Sequence, residues 1–197
     1  VLSVLMVVSC VSVGFAAENE PDLKFAVASD LHYNVPEEEL TASGEIDDEI
    51  YWYANRRAAM ENESGFIIDE FLKQCAENDD VEFVLIPGDI ADNGKVITQE
   101  HLDVAEKFKA FEEETGKQIY VTVGNHDAGL NCETTYETFK EIYHDFGYAE
   151  ALETVEENCS YTADLGEKYR LISLDSCDYD ASTEDGMGAD DLDWVRK

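Results

Sequence analysis

Three runs of the chain end in residues that can hold cations. Phe25-Ala-Val-Ala-Ser-Asp30-Leu-His32, Phe83-Val-Leu-Ile-Pro-Gly88-Asp89 and Val121-Thr-Val-Gly124-Asn125-His126-Asp127 each pass from apolar residues straight into a carboxylate or imidazole. Residues i and i+2 of an extended segment point to one side, so Asp30 and His32 are presented together. In Gly88-Asp89 the glycine removes a side chain where the backbone turns, and the carboxylate has two oxygens able to bridge two cations. In the third run Asn125 offers a neutral oxygen ligand, His126 is either a ligand or a proton donor, and Asp127 is expected to orient its ring. Oxygen and imidazole donors gathered at one place make a metal site, and a metal site points to hydrolysis.

Each run needs an element to aim it. Leu23 to Ser29, Phe83 to Ile86 and Ile119 to Val123 are apolar runs of strand length, the first suited to a strand buried on both faces. Helical spacing separates them, over 50–78 and over 98–114, where Leu102, Ala105, Phe108 and Phe111 form an apolar stripe. Strand, helix, strand, helix, strand predicts a parallel sheet with right-handed crossovers. Ligand crevices in such sheets lie beyond the carboxyl ends of the strands, where all three runs finish. Thr134 to Phe146 reads as another helix. Ser160 to Leu165 and Lys168 to Asp175 alternate at period two across Gly166-Glu167, which predicts a hairpin and hence mixed sheets. Leu192, Trp194 and Val195 open one more helix pattern.

Other residues carry weaker signals. Asp92 and Asn93 follow Asp89 without the register of a calcium loop; they read equally as turn and capping residues or as partners of the ligands. Tyr51-Trp52-Tyr53 and Arg56-Arg57 read as a helix with an apolar face and solvated arginines, ahead of a substrate-contacting role. His101 and His144 read as solvated helix residues, and Asp175 as a strand terminus.

Composition narrows the classes. Among 197 residues, 46 acidic against 13 basic side chains give a net charge of −33, which repels polyanions and excludes nucleic-acid binding through a basic face. Val1 to Ala17 is uncharged and apolar and ends in Gly14-Phe-Ala-Ala17, the signature of a signal peptide without its basic start. Residues 1–17 are therefore expected to be removed on export to the outside or the cell surface, with Cys10 as an alternative lipidation site. The run is shorter than the roughly 20 apolar residues of a membrane span. Four cysteines remain, Cys75, Cys132, Cys159 and Cys177; Cys75 reads as a buried free thiol, and pairing among the rest stays open.

Asp30-x-His32, Gly88-Asp89 and Gly124-Asn-His-Asp127, in that order after buried strands, resemble the first three motifs of the calcineurin-like metallophosphoesterase family. The resemblance implies an α/β fold, a metallophosphoesterase-like sandwich of mixed β-sheets flanked by helices over residues 18–197. It implies two divalent metal ions, drawn from Mn, Fe, Zn and Co. Asp30 and His32 would hold one, Asp89 would bridge both and Asn125 would bind the second, with a bridging hydroxide attacking a phosphate mono- or diester. His126 would not be a ligand but would protonate the leaving oxygen or stabilise the transition state, oriented by Asp127. The family completes its site with a later single histidine and a Gly-His-x-His motif, so the chain is expected to be a C-terminally truncated domain of weak or no activity. The alternatives are a nucleotidase of the same fold and a non-catalytic surface protein binding a metal or a phosphate ligand.

Overall fold

The computed structural model describes residues 23–36, 61–177 and Trp194. The expected signal peptide, Cys10, the Tyr51 and Arg56 clusters and most of the last helix pattern lie outside the described residues, although Trp194 is helical. None of the described helices is long and apolar enough to cross a membrane.

β1 (Phe25–Val27), β2 (Phe83–Pro87) and β3 (Gln118–Thr122) form a parallel sheet in the order β1-β2-β3, with Phe25 opposite Phe83 and Phe83 opposite Gln118. α1 (Glu61–Glu77) connects β1 to β2, and α2 (Thr98–Thr115) connects β2 to β3. α3 (Tyr136–Ile142) runs into a π-type turn over His144–Tyr148, and β4 (Glu153–Thr154), β5 (Tyr161–Leu165) and β6 (Tyr169–Ser173) then form an antiparallel sheet. The expected hairpin is β5 and β6, paired from Tyr161 with Ser173 to Leu165 with Tyr169. Parallel and antiparallel sheets flanked by helices match the expected mixed architecture.

One core joins the helices to the parallel sheet through Ile68, Leu72, Val84, Ile86, Phe108 and Val121. A second joins the two sheets through Phe83, Tyr120, Tyr161 and Ala163. The Tyr161 hydroxyl donates to the Val121 carbonyl at 2.8 Å, and the hydroxyls of Thr122 and Ser173 meet at 2.8 Å. These bonds satisfy polar groups that the contact between sheets removes from water.

Three expectations change. β1 is not buried on both faces: Phe25 is 46 % and Val27 53 % exposed, because β2 is its only neighbour among the described residues. The helix expected to reach Phe146 stops at Ile142, since Phe146 and Gly147 leave helical geometry and Gly147 takes φ 119°. The buried face of α2 carries Glu100, His101, Val104, Phe108 and Phe111, whereas Leu102 faces out. A stripe at 101, 104, 108 and 111 keeps the 3- and 4-residue spacing, with an imidazole in place of an apolar residue. The four cysteines of the described residues are free, and Cys75 is buried as expected.

Glu112, on the last turns of α2, accepts the Ile119 N–H at 2.7 Å. Burial, joined by the charges of Glu150 and Asp145, pushes its carboxyl up to about 7. The folded state therefore holds a proton that the unfolded chain releases near 4.5, and the stabilisation is lost as pH rises through 7. Glu112→Gln keeps an acceptor for Ile119 and removes the charge. In urea melts this variant should match the parent at pH 4.5 and become progressively more stable than it toward pH 8.

Candidate metal centre

The segments beyond the three strands stay paired after the strands end. Ala28 donates to Leu85 O, Asp30 to Gly88 O, His32 to Asp89 O and Tyr33 to Ile90 O, at 2.9–3.1 Å, and Asp92 returns a bond to Tyr33 O at 3.0 Å. The segment after β1 thus lies alongside the segment after β2, with Asp30 and His32 abreast of Asp89 and Asp92. Lys95 N–H donates to His126 O at 3.0 Å, which brings in the segment after β3. Three of these residues sit at positive φ, Asp30 at 56°, His32 at 43° and Asp89 at 49°. Side-chain-bearing residues pay for that conformation, of order 1–3 kcal/mol each, and such strain clusters at ligand sites.

Side chains converge accordingly. His32 Nε2 lies 3.8 Å from Asp30 Oδ1 and 3.9 Å from Asp89 Oδ2. On the other edge of the ring, Nδ1 is 3.1 Å from Asp92 Oδ1. With Asp92 on its Nδ1 edge, the ring turns Nε2 to the side of Asp30 and Asp89, the arrangement a metal-ligating histidine takes. His126 packs edge-on to His32 at 4.8 Å, and its Nδ1 is 2.7 Å from Asp92 O. A carbonyl only accepts, so Nδ1 carries the proton and Nε2 is the reactive nitrogen. Two groups of donor atoms lie within 4.8 Å of one another: Asp30, His32 and Asp89, and His32, Asp92 and His126. A cleft of about 400 Å³ opens beside Asp30 and His32, walled by Leu31, Ile67, Ile68 and Phe71.

Asp127 is fully buried, and its carboxylate accepts the N–H groups of Ile90 at 2.8 Å, Ala91 at 3.0 Å and Gly124 at 2.8 Å. Burial pushes it up to about 7, opposed by these hydrogen bonds and assisted by the Asp89 charge. It joins two backbones, and the ring of His126 is held by Asp92 instead. The Asp127 carboxylate, expected to orient His126, is thus bonded to three backbone N–H groups, and it is the Asp92 carbonyl that meets the His126 ring. Asn125 is exposed in the turn between two residues that touch Asp89. The His126 N–H donates to Asp89 Oδ1 at 2.9 Å, and a side chain on Gly124 would place its Cβ 2.3 Å from the same oxygen.

A model of the calcineurin-like phosphoesterase family matches residues 23–197. The chain belongs to this family. Among curated proteins no relative matches it. Family membership and the two donor groups make the chain a metal-dependent phosphoesterase.

In this calcineurin-like phosphoesterase the structure corrects the reading of His101 as a solvated helix residue and adds Glu100, which the sequence did not single out. His101 is wholly buried, 2.9 Å through Nε2 from Asp127 O and 3.0 Å through Nδ1 from the Tyr143 hydroxyl, and burial lowers it to about 4. It is therefore a neutral core histidine, whose signal was its place three residues before Val104 and seven before Phe108. Glu100 is 1 % exposed, and burial raises its carboxyl to about 8 against hydrogen bonds from Asn93 and Val35. His144 is exposed, as expected, and pairs with Asp145. Asp175 is buried and receives the N–H groups of Cys159 and Cys177 at 3.0 Å each.

Gly124→Ala tests the close approach at Asp89. The added Cβ would sit 2.2 Å from Asp89 N, so backbone must move. The variant should lose roughly 1–3 kcal/mol in denaturant melts and bind Mn²⁺ more weakly by calorimetry.

Proposed function

We propose that the protein hydrolyses small phosphate mono- or diesters with the help of two divalent cations of the Mn, Fe, Zn or Co type. The observation that carries this reading is His32, with Nδ1 against Asp92 and Nε2 turned to the carboxylates of Asp30 and Asp89. Asp30, His32, Asp89 and Asn125 would hold the cations, and the donor set of carboxylate, imidazole and amide oxygen suits those metals. Bound there, the cations would supply Lewis acidity toward the phosphoryl oxygens and lower the pKa of water.

The remaining steps belong to the chain. As an imidazolium, protonated on both nitrogens, His126 keeps its Nδ1 proton on Asp92 O and gives its Nε2 proton to the leaving oxygen as the ester bond breaks, ending as the neutral ring. Asp92 holds both imidazoles, His32 by its carboxylate and His126 by its carbonyl. Asp127 keeps the segments after β2 and β3 in register. The apolar wall of Leu31, Ile67 and Phe71 beside Asp30 would take the organic part of the ester. Export, with removal of residues 1–17 or lipidation at Cys10, is part of the same proposal and rests on the uncharged run Val1–Ala17.

Activity on p-nitrophenyl phosphate and bis(p-nitrophenyl) phosphate, measured with Mn²⁺ and with chelator, tests the reading. Mn²⁺ should support turnover and chelator abolish it. His126→Ala should lower kcat by roughly 10²–10⁴ while Mn²⁺ affinity stays near that of the parent. Asp89→Asn should lose both metal binding and turnover. Full activity of Asp89→Asn would overturn the assignment.

A further inference from the structure

The first turn of α2 touches no donor group of the candidate centre, yet it is bonded to all three segments that carry them. Glu100 Oε2 accepts the Asn93 N–H at 2.7 Å, while Oε1 accepts Asn93 Nδ2 at 3.2 Å and the Val35 N–H at 3.4 Å. Asn93 adjoins Asp92. Its side-chain amide also donates to Asn34 Oδ1 at 3.2 Å, and Asn34 Nδ2 donates to the carbonyl of His32 at 3.1 Å. One buried carboxylate thus links the backbone beside Asp92 to that of His32. The adjacent His101 reaches the third segment at Asp127 O, 2.9 Å from Nε2. That carbonyl only accepts, so the proton sits on Nε2 and Nδ1 accepts from the Tyr143 hydroxyl.

Helix capping does not account for this arrangement. Glu100 is the third residue after the N-cap Ile97, where a glutamate ordinarily turns back to the N–H of the cap residue. Here the Ile97 N–H is already bonded to Asn93 O at 2.9 Å, and Glu100 turns away to two loops. A carboxyl group as buried as this one is costly unless its acceptor oxygens are bonded, and three N–H donors converge on it.

The geometry points to Glu100 and His101 as positioning residues of the metal centre, clamping the three segments beyond the strands so that His32, Asp92 and Asp89 stay within ligating reach. This rests on the metal reading proposed above. Partners outside the ligand set that orient ligands typically govern metal affinity by 10–100-fold.

The test is calorimetric titration of the apoprotein with Mn²⁺, with no substrate present, for the parent and for Glu100→Gln. Either orientation of the glutamine amide sets an NH₂ donor against an N–H donor of Asn93 or Val35, so the clamp opens with little change in volume. The Mn²⁺ dissociation constant should rise about 10–100-fold, and raised Mn²⁺ should restore turnover. His101→Leu should weaken Mn²⁺ binding likewise, whereas His101→Gln, which keeps a donor for Asp127 O, should recover part of the affinity. If Glu100→Gln does not fold, Asn34→Ala, which removes the bonds of that side chain to Asn93 Nδ2 and to the His32 carbonyl and leaves Glu100 in place, decides on the same scale. Unchanged Mn²⁺ affinity in a folded variant, even with a lowered melting temperature, overturns the positioning role and leaves the metal reading standing. No Mn²⁺ binding by the parent overturns both.

Discussion

Asp127 sets the constraint on which the rest of the centre depends. Its carboxylate is removed from water and accepts three backbone N–H groups, two from the segment after β2 and one from its own turn. Each hydrogen bond to a charged acceptor contributes about 1.5–3 kcal/mol, set against a desolvation cost of several. The result is less a gain in stability than a choice of geometry, because the observed placement of the two segments satisfies all three donors at once. With that register held, the His126 N–H falls on Asp89, and the closeness of Gly124 to Asp89 leaves no room for a side chain.

The rest of the site follows from strands ending while their hydrogen bonds continue. Pairing of Asp30, His32 and Tyr33 with Gly88, Asp89 and Ile90 carries the parallel ladder past β1 and β2. Side chains in an ordinary ladder alternate between faces. At positive φ, Asp30, His32 and Asp89 leave the extended geometry that sets this alternation and that the sequence implied for Asp30 and His32, and their donor atoms lie within 4.8 Å of one another. Carboxylates gathered this closely repel, and the chain carries 46 acidic residues against 13 basic ones. Strain and repulsion at one place make sense if a cation of high charge offsets them when bound.

Much of the plan was legible in the sequence because its signals are local. Apolar runs closed by glycine or acid marked all three strands, and β5 and β6 announced themselves by alternation about a Gly-Glu turn. Asp30, His32, Asp89 and His126 stood out because few residue types ligate metals or transfer protons. His101 was misread because a histidine among Gln, Glu and Asp looks solvated, although its spacing from Val104 and Phe108 places it on the buried face. The misreading of Asp127 is of another kind: a carboxylate next to a histidine in sequence invites pairing, but the turn sends the two side chains apart.

The sequence by itself determined which residues could do chemistry, which strands would deliver them and the family to which they belong, because residue type and short-range period are properties of neighbours along the chain. Only the tertiary structure decided that Asp92 holds the two imidazoles, that Asp127 binds backbone, and that Glu100 and His101 reach across to three separate segments. Those roles depend on hydrogen-bond partners up to 65 residues away, whose distance and direction exist only once the sheet has formed and the helices have packed against it.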